Sequence, residues 1–133
     1  MILICGIPNA GKTTYSQRYS DVIHFDEVKG GRYRRQNIVE MIEKNPSVCV
    51  EGVYKSVKER IALVNASSEH NICIWITTPI DVCINREING RNRSVHMVQW
   101  AYDDFEPVTY DEGWNEIYIL NNDNLELIPK ERE

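Results

Sequence analysis

Long hydrophobic runs are absent from this chain of 133 residues. None approaches the roughly 18–20 consecutive apolar residues that a membrane-spanning helix needs, so we expect no membrane partner. The N-terminal run MILIC has no basic region before it and ends at once, which argues against a secretory signal. These absences favour the cytoplasm as the compartment of the protein.

Cysteine spacings typical of metal and redox sites are also missing. The chain has four cysteines, but no two of them have C-x-x-C spacing, and its three histidines share no metal-like spacing. We therefore expect buried, reduced thiols rather than a zinc or redox site. Apolar residues make up 42% of the chain and charged residues 26%, which is usual for one globular domain.

The charge is acidic overall but locally basic. A net charge of −5 argues against an extended, nonspecific nucleic-acid surface. Basic residues nevertheless cluster at 29–35 and again at 86–93. An acidic body with two basic clusters suits a site that handles phosphate groups.

Short runs rich in Ile and Val alternate with segments of helical periodicity, an order typical of α/β proteins. Five runs are predicted as strands, at 1–5, 21–26, 47–52, 72–77 and 115–120. Helices are predicted from about Lys12, within 32–45, from the N-cap Ser56, from the N-cap Thr78, and at about 95–105. We predict an α/β fold in which residues 1–121 form a five-stranded parallel sheet between helices, followed by a polar tail at 122–133.

The stretch GIPNAGKT at 6–13 follows the first predicted strand directly and matches G-x-x-x-x-G-K-[ST], the phosphate-binding loop. Loop amides and the start of a helix would hold the phosphates of a nucleoside triphosphate. We expect Lys12 to contact the β- and γ-phosphates, Thr13 to bind Mg²⁺, and Thr14 to pack or contact the α-phosphate. The candidate nucleotide-binding residues of the loop are Gly6, Pro8, Asn9, Ala10, Gly11, Lys12, Thr13 and Thr14.

The loop alone leaves the phosphate acceptor open, because GTPases, ATPases and kinases share it. The guanine-reading N-K-x-D motif of GTPases does not occur, and a motor ATPase would usually need a larger chain. Two carboxylates follow predicted strands: Asp26 after the second and Glu51 after the third. Since strand ends open onto the binding crevice of such sheets, Asp26 is a candidate general base. Glu51 would hold Mg²⁺ through water or steer the acceptor.

Cations in the two basic clusters complete the candidate site. Arg86, Arg91 and Arg93 follow the fourth predicted helix in a segment that Asn-Gly interrupts, so about 86–94 would form a small lid that neutralises charge during phosphoryl transfer. Lys29 and Arg32 could contact a phosphate of the acceptor. Solvated basic turns are the alternative reading of both clusters.

Four segments together resemble the kinase domain of the polynucleotide 5′-kinase family. They are GIPNAGKTT at 6–14, VIHFDEVKG at 22–30, CINREINGRNRSV at 83–95, and WAYDDFEPVTYDEGWNEIYIL at 100–120. The resemblance spans nearly the whole chain, and it implies the P-loop kinase fold with ATP and Mg²⁺ as cofactors. The chain lacks the D-x-D-x-T phosphatase and K-x-D-G ligase motifs of larger members of this family.

The resemblance implies roles for single positions. Lys12 and Thr13 match the phosphate lysine and the magnesium hydroxyl, and Asp26 matches the aspartate that activates the acceptor 5′-hydroxyl. Lys29 stands where many members have an arginine, and it lacks the bidentate fork of that side chain. Glu51 stands where the family has aspartate followed by Asn-Thr, whereas Gly-Val follows here.

On the lid, Arg86 and either Arg91 or Arg93 match the family's arginines. The expected activity is therefore Mg²⁺- and ATP-dependent transfer of the γ-phosphoryl group to the 5′-hydroxyl of DNA or RNA. Two rivals are a kinase for a small molecule such as a nucleoside, sugar or antibiotic, and a nucleotide-binding regulator without catalysis. The sequence leaves open DNA or RNA, ATP or GTP, and the oligomeric state.

Overall fold

The computed structural model of the protein describes residues 1–91, 94–121 and 126–132. Its strands are β1 Ile2–Cys5, β2 Val22–His24, β3 Cys49–Gly52, β4 Ile72–Ile76, β5 Glu116–Asn121 and β6 Glu126–Pro129. Its α-helices are α1 Lys12–Ser16, α2 Arg34–Lys44, α3 Val57–Ala66, α4 Ile80–Arg86 and α5 Val95–Asp104. None of the helices in this described part is long and apolar enough to cross a membrane.

The strands form one sheet in the order β2-β3-β1-β4-β5-β6. The first five strands along the chain are parallel to their neighbours, as predicted, and only β6 pairs antiparallel with β5. The predicted count of five strands is therefore wrong by one. Since Leu127 and Ile128 are the only adjacent apolar residues of β6, its sequence signal was too weak to identify a strand, and the strand is specified by its pairing with β5. The division between a domain at 1–121 and a tail at 122–133 stays a prediction.

Helices cover both faces of the sheet, which explains why its strands are apolar without alternation. In β1, Leu3 belongs to the core under α2 and α3, together with Ile42 and Leu63. Its neighbour Ile4 belongs to the core on the other face, together with Cys83 of α4. The carboxyl ends of the strands are therefore the open edge where a ligand can approach.

The sequence predicted side-chain caps for α3 and α4, and the structure confirms the first. The Ser56 hydroxyl accepts a hydrogen bond from the Glu59 amide at 3.1 Å, as the sequence predicted. The predicted cap of α4 by Thr78 is wrong, because Pro79 holds the N-cap position. The Thr78 hydroxyl instead donates to the carbonyl oxygen of Ala10 at 2.7 Å. This bond attaches the turn after β4 to the loop that follows β1.

A buried ion pair joins α3 to the segment before β5. Arg60 is fully buried, and its guanidinium donates to both carboxylate oxygens of Glu112 at 2.7 and 3.0 Å. It also donates to the carbonyl oxygens of Tyr54 and Glu106, each at 2.8 Å. The Trp114 indole donates to Glu112 at 3.0 Å. The Glu-Gly-aromatic stretch that supported the resemblance thus holds the fold together away from the loop.

All four cysteines are buried, and burial raises the pKa of the Cys49 thiol to about 12. Burial also raises the pKa of Cys73 and Cys83. Because the thiolate is the reactive form, we expect negligible reaction of the native protein with an aromatic disulfide reagent at pH 8. In denaturant, all four thiols should react, as measured by release of the coloured thiolate. Fast reaction of any thiol in the native protein would contradict this burial.

Candidate active site

The loop between β1 and α1 has the backbone conformation that a phosphate cradle requires. Asn9 and Gly11 have φ angles of +67° and +103°, in the left-handed region that turns successive amides towards one point. Gly6 lies against β4, where an added Cβ atom would come within 2.8 Å of the carbonyl oxygen of Ile76. The glycine positions of the motif therefore follow from backbone geometry and close packing.

We expect Gly6→Ala to lower the affinity for nucleotide and to destabilise the fold by about 1–3 kcal/mol. The new methyl group would push the loop away from the backbone of Ile76. Gly90→Ala is the matched control, because a Cβ atom there meets nothing within 4 Å. Equilibrium unfolding in urea and calorimetric binding of ATP would measure both effects. Equal behaviour of the two variants would contradict the close approach of Gly6 to β4.

Lys12, the first residue of α1, folds its side chain back into the loop. Its ammonium donates to the carbonyl oxygen of Ile7 at 2.8 Å, and the side chain is buried. Burial lowers the pKa of Lys12, while the carboxylates of Glu51 and Asp26 act in the opposite direction. The Lys12 nitrogen therefore lies inside the cradle with little water around it, where its attraction for an anion is weakly screened.

The loop opens onto a cavity of about 470 Å³. Residues from four parts of the chain that the sequence singled out line this cavity: Pro8, Asn9, Ala10, Gly11, Lys12, Thr13, Thr14, Asp26, Glu51 and Arg86. Sequence reasoning missed further lining residues, namely Tyr15, Arg18, Gly52, Val53, Ile76, Met97 and Leu120. These residues form no sequence motif, because only the fold brings them to the cavity.

Two carboxylates line the cavity. Asp26 is exposed in the 3₁₀ turn Phe25–Glu27 that follows β2. Glu51, at the end of β3, is only 7% exposed, and its Oε1 accepts a bond from the Thr13 hydroxyl at 3.4 Å. Its Oε2 lies 3.0 Å from Nδ1 of His24. Sequence reasoning set His24 aside, because this contact depends on the register that pairs β2 with β3.

The oxygen atoms of Thr13 and Glu51 suit Mg²⁺, a hard cation that prefers oxygen ligands. The Thr13 hydroxyl and the Glu51 carboxylate are the protein groups that would hold it. Among the described residues, no group of three or more His, Cys, Asp or Glu side chains could hold a metal ion by itself. An ion here would therefore take its other ligands from phosphate and water, as Mg²⁺ commonly does.

The departure from the family pattern after Glu51 has a packing explanation. A Cβ atom on Gly52 would lie 2.9 Å from Cβ of Phe25 and 2.9 Å from the Tyr54 ring. The Phe25 and Tyr54 rings pack edge to face with centroids 5.6 Å apart. An asparagine at this position would meet both aromatic side chains, so the glycine follows from their packing.

The predicted cations differ in their position. Arg86 lines the cavity and donates to the carbonyl oxygen of Asn9 at 2.8 Å. Lys29 and Arg32 are exposed and do not line it, and Arg32 bonds to the Tyr33 hydroxyl at 2.7 Å. A π-helical turn at Glu87–Arg91 continues α4. Arg93 and the side chain of Arg91 lie outside the described residues, so the lid role of 86–94 stays a prediction.

No protein-family model matches the chain, and no curated protein matches it in sequence. Solved structures do match. A sugar kinase from Janibacter sp. HTCC2649 has a TM-score of 0.74 and 12% identity, with 90% of this chain and 83% of that chain covered. A gluconokinase from Sinorhizobium meliloti 1021 has a TM-score of 0.70 and 12% identity, with 92% and 82% covered. The chain thus has the α/β fold of P-loop kinases, with a mostly parallel sheet of six strands flanked by helices.

Proposed function

We propose that this protein is a Mg²⁺- and ATP-dependent phosphotransferase with an alcohol as acceptor. The observation that carries the proposal is that the Lys12 cradle and the carboxylate of Asp26 line the same cavity. Lys12 and the loop amides would bind the β- and γ-phosphates, and Asp26, in the same cavity, would contact the acceptor hydroxyl. A nucleotide-binding regulator without catalysis would need the loop but no such carboxylate.

In the proposed reaction, the Asp26 carboxylate accepts a hydrogen bond and then the proton of the acceptor hydroxyl. The hydroxyl oxygen bonds to the γ-phosphorus, and the bond from that phosphorus to the β–γ bridging oxygen breaks, releasing ADP. Lys12 and Arg86 offset the charge on the phosphates. Mg²⁺, when bound at Thr13, supplies further charge neutralisation. Positioning and charge account for most of the rate in this class of reaction.

For the acceptor we favour a small hydroxyl compound such as a sugar or sugar acid. The cavity of about 470 Å³ would hold the triphosphate as well as the acceptor, a size that suits a small acceptor. Lys29 and Arg32, which would grip an acceptor phosphate, lie outside its lining. The two solved structures described above are a sugar kinase and a gluconokinase, which agrees with this choice.

The 5′-hydroxyl end of DNA or RNA is the second candidate acceptor. It is favoured by the sequence resemblance and by the exposed basic cluster at 29–35. Part of that cluster is already engaged, because Arg34 donates to the carbonyl oxygen of Val28 and Arg35 pairs with Glu59 at 3.5 Å. These bonds leave fewer cations for a nucleic-acid backbone.

Transfer from ATP labelled in the γ-phosphate to gluconate, a sugar, a nucleoside and a 5′-hydroxyl oligonucleotide would test both acceptors side by side. The Lys12→Ala variant is the control, and it should lose nucleotide binding and transfer. A polynucleotide acceptor would also show binding that falls steeply with salt, whereas a neutral sugar would not. Absence of ATP binding by the wild-type protein would overturn the proposed function.

A further inference from the structure

Asn9 holds the phosphate loop in a conformation that non-glycine residues seldom adopt. Its φ of +67° lies in the left-handed region, where a Cβ atom crowds the following carbonyl oxygen. Asparagine tolerates this region better than most residues, but it keeps the conformation reliably only when its surroundings determine it. The path of the loop through this position, including the bond from the Ala10 amide to the carbonyl oxygen of Ile7 at 3.2 Å, depends on that conformation.

The end of α4 supplies the groups that determine this conformation. The side-chain amide of Asn9 donates to Oε1 of Glu87 at 2.9 Å and to the carbonyl oxygen of Cys83 at 3.2 Å. Its own carbonyl oxygen accepts from Arg86 at 2.8 Å. The side chain and the backbone of Asn9 are therefore both attached to the same helix end.

Glu87 is suited to this contact by its burial. It is only 2% exposed, so water competes little for its carboxylate and the charged hydrogen bond to Asn9 is strong. Glu87 does not line the cavity, which excludes direct contact with a nucleotide bound there. A role in ATP binding would therefore be indirect, and Asn9 is the phosphate-loop residue that Glu87 contacts.

We propose that Glu87 is a positioning residue that keeps the phosphate loop in its binding conformation through Asn9. The proposal rests on the proposed function only in that the loop binds a triphosphate. Without the Glu87 oxygen, the left-handed conformation of Asn9 loses one of the two bonds that its side-chain amide makes, and the loop is held less firmly. The affinity for ATP then falls although no group that touches ATP has been removed.

Calorimetric binding of Mg²⁺ with a non-hydrolysable ATP analogue tests the proposal. Glu87→Ala should weaken binding about tenfold or more, the loss expected for a hydrogen bond to a charged group. Glu87→Gln keeps an oxygen acceptor and should restore most of the affinity. In an Asn9→Gly background, Glu87→Ala should have little effect, because glycine adopts the left-handed region without an anchor.

The matched control is Glu112→Gln, which alters another buried carboxylate far along the chain from the loop. It should reduce stability without changing the affinity for the analogue. If Glu87→Ala does not fold, as judged by circular dichroism, Glu87→Leu removes the same acceptor with less loss of volume and should show the same loss of affinity. An equal loss from Glu87→Ala in both backgrounds, or no loss at all, would overturn the proposal. A wild-type protein that fails to bind the analogue would instead overturn the proposed function.

Discussion

Replacing Asp26 by asparagine is expected to lower kcat by about 10²–10⁴-fold, the contribution typical of a general base. The amide of asparagine cannot take the proton of the acceptor hydroxyl. The affinity for ATP should change little, because the cradle that binds the phosphates is built from the loop around Lys12. Steady-state kinetics with the best acceptor, and calorimetric binding of ATP, would measure the two quantities separately.

Glu27→Gln is the control for this substitution. Glu27 is exposed in the same 3₁₀ turn as Asp26 but does not line the cavity. Its replacement removes one negative charge from the turn without touching the site, so kcat should stay near the wild-type value. Full activity of Asp26→Asn would remove Asp26 as the base and point to another group in the cavity.

Glu112→Gln is expected to lower the free energy of unfolding by about 3 kcal/mol, the lower end of the range for breaking a buried ion pair. The guanidinium of Arg60 has no exposure to water and would lose the charge that compensates it. The glutamine amide keeps part of the hydrogen bonding, which limits the loss. Unfolding in urea would measure the change, and the fluorescence of Trp114, which bonds to Glu112, reports it directly.

An exposed ion pair provides the comparison. Glu59→Gln breaks the pair with Arg35, whose nitrogen lies 3.5 Å from the carboxylate and whose side chain is 59% exposed. Surface pairs of this kind contribute about 0–1 kcal/mol, so the stability should change little. A similar loss from both variants would show that burial of Arg60 and Glu112 does not determine their contribution.

Patterns confined to short stretches predicted the fold well. The five parallel strands were predictable because each is a short run rich in apolar residues, and their parallel order follows from their alternation with helices. The strand–loop–helix arrangement around 6–13 was predictable for the same reason. In each case, the residues that make up the sequence pattern are also the residues that form the strand, helix or loop.

Features that depend on distant residues were not predicted. β6 is specified by its pairing with β5, and Thr78 bonds to the loop instead of capping its own helix. The sequence motif that most resembles a kinase family contains Glu112, and its partner Arg60 lies about fifty positions away on another helix. No local pattern distinguishes a glutamate with a structural partner from one at an active site.

The sequence by itself determined the sheet, the helices and the phosphate loop, because backbone torsions and hydrophobic periodicity act between near neighbours in the chain. Only the tertiary structure decided which side chains share the cavity. Strand register brings His24 to Glu51, and the packing of α4 brings Glu87 to Asn9. The tertiary structure also leaves Lys29 outside the cavity. These contacts join residues far apart in sequence, so their geometry is specified by packing rather than by spacing along the chain.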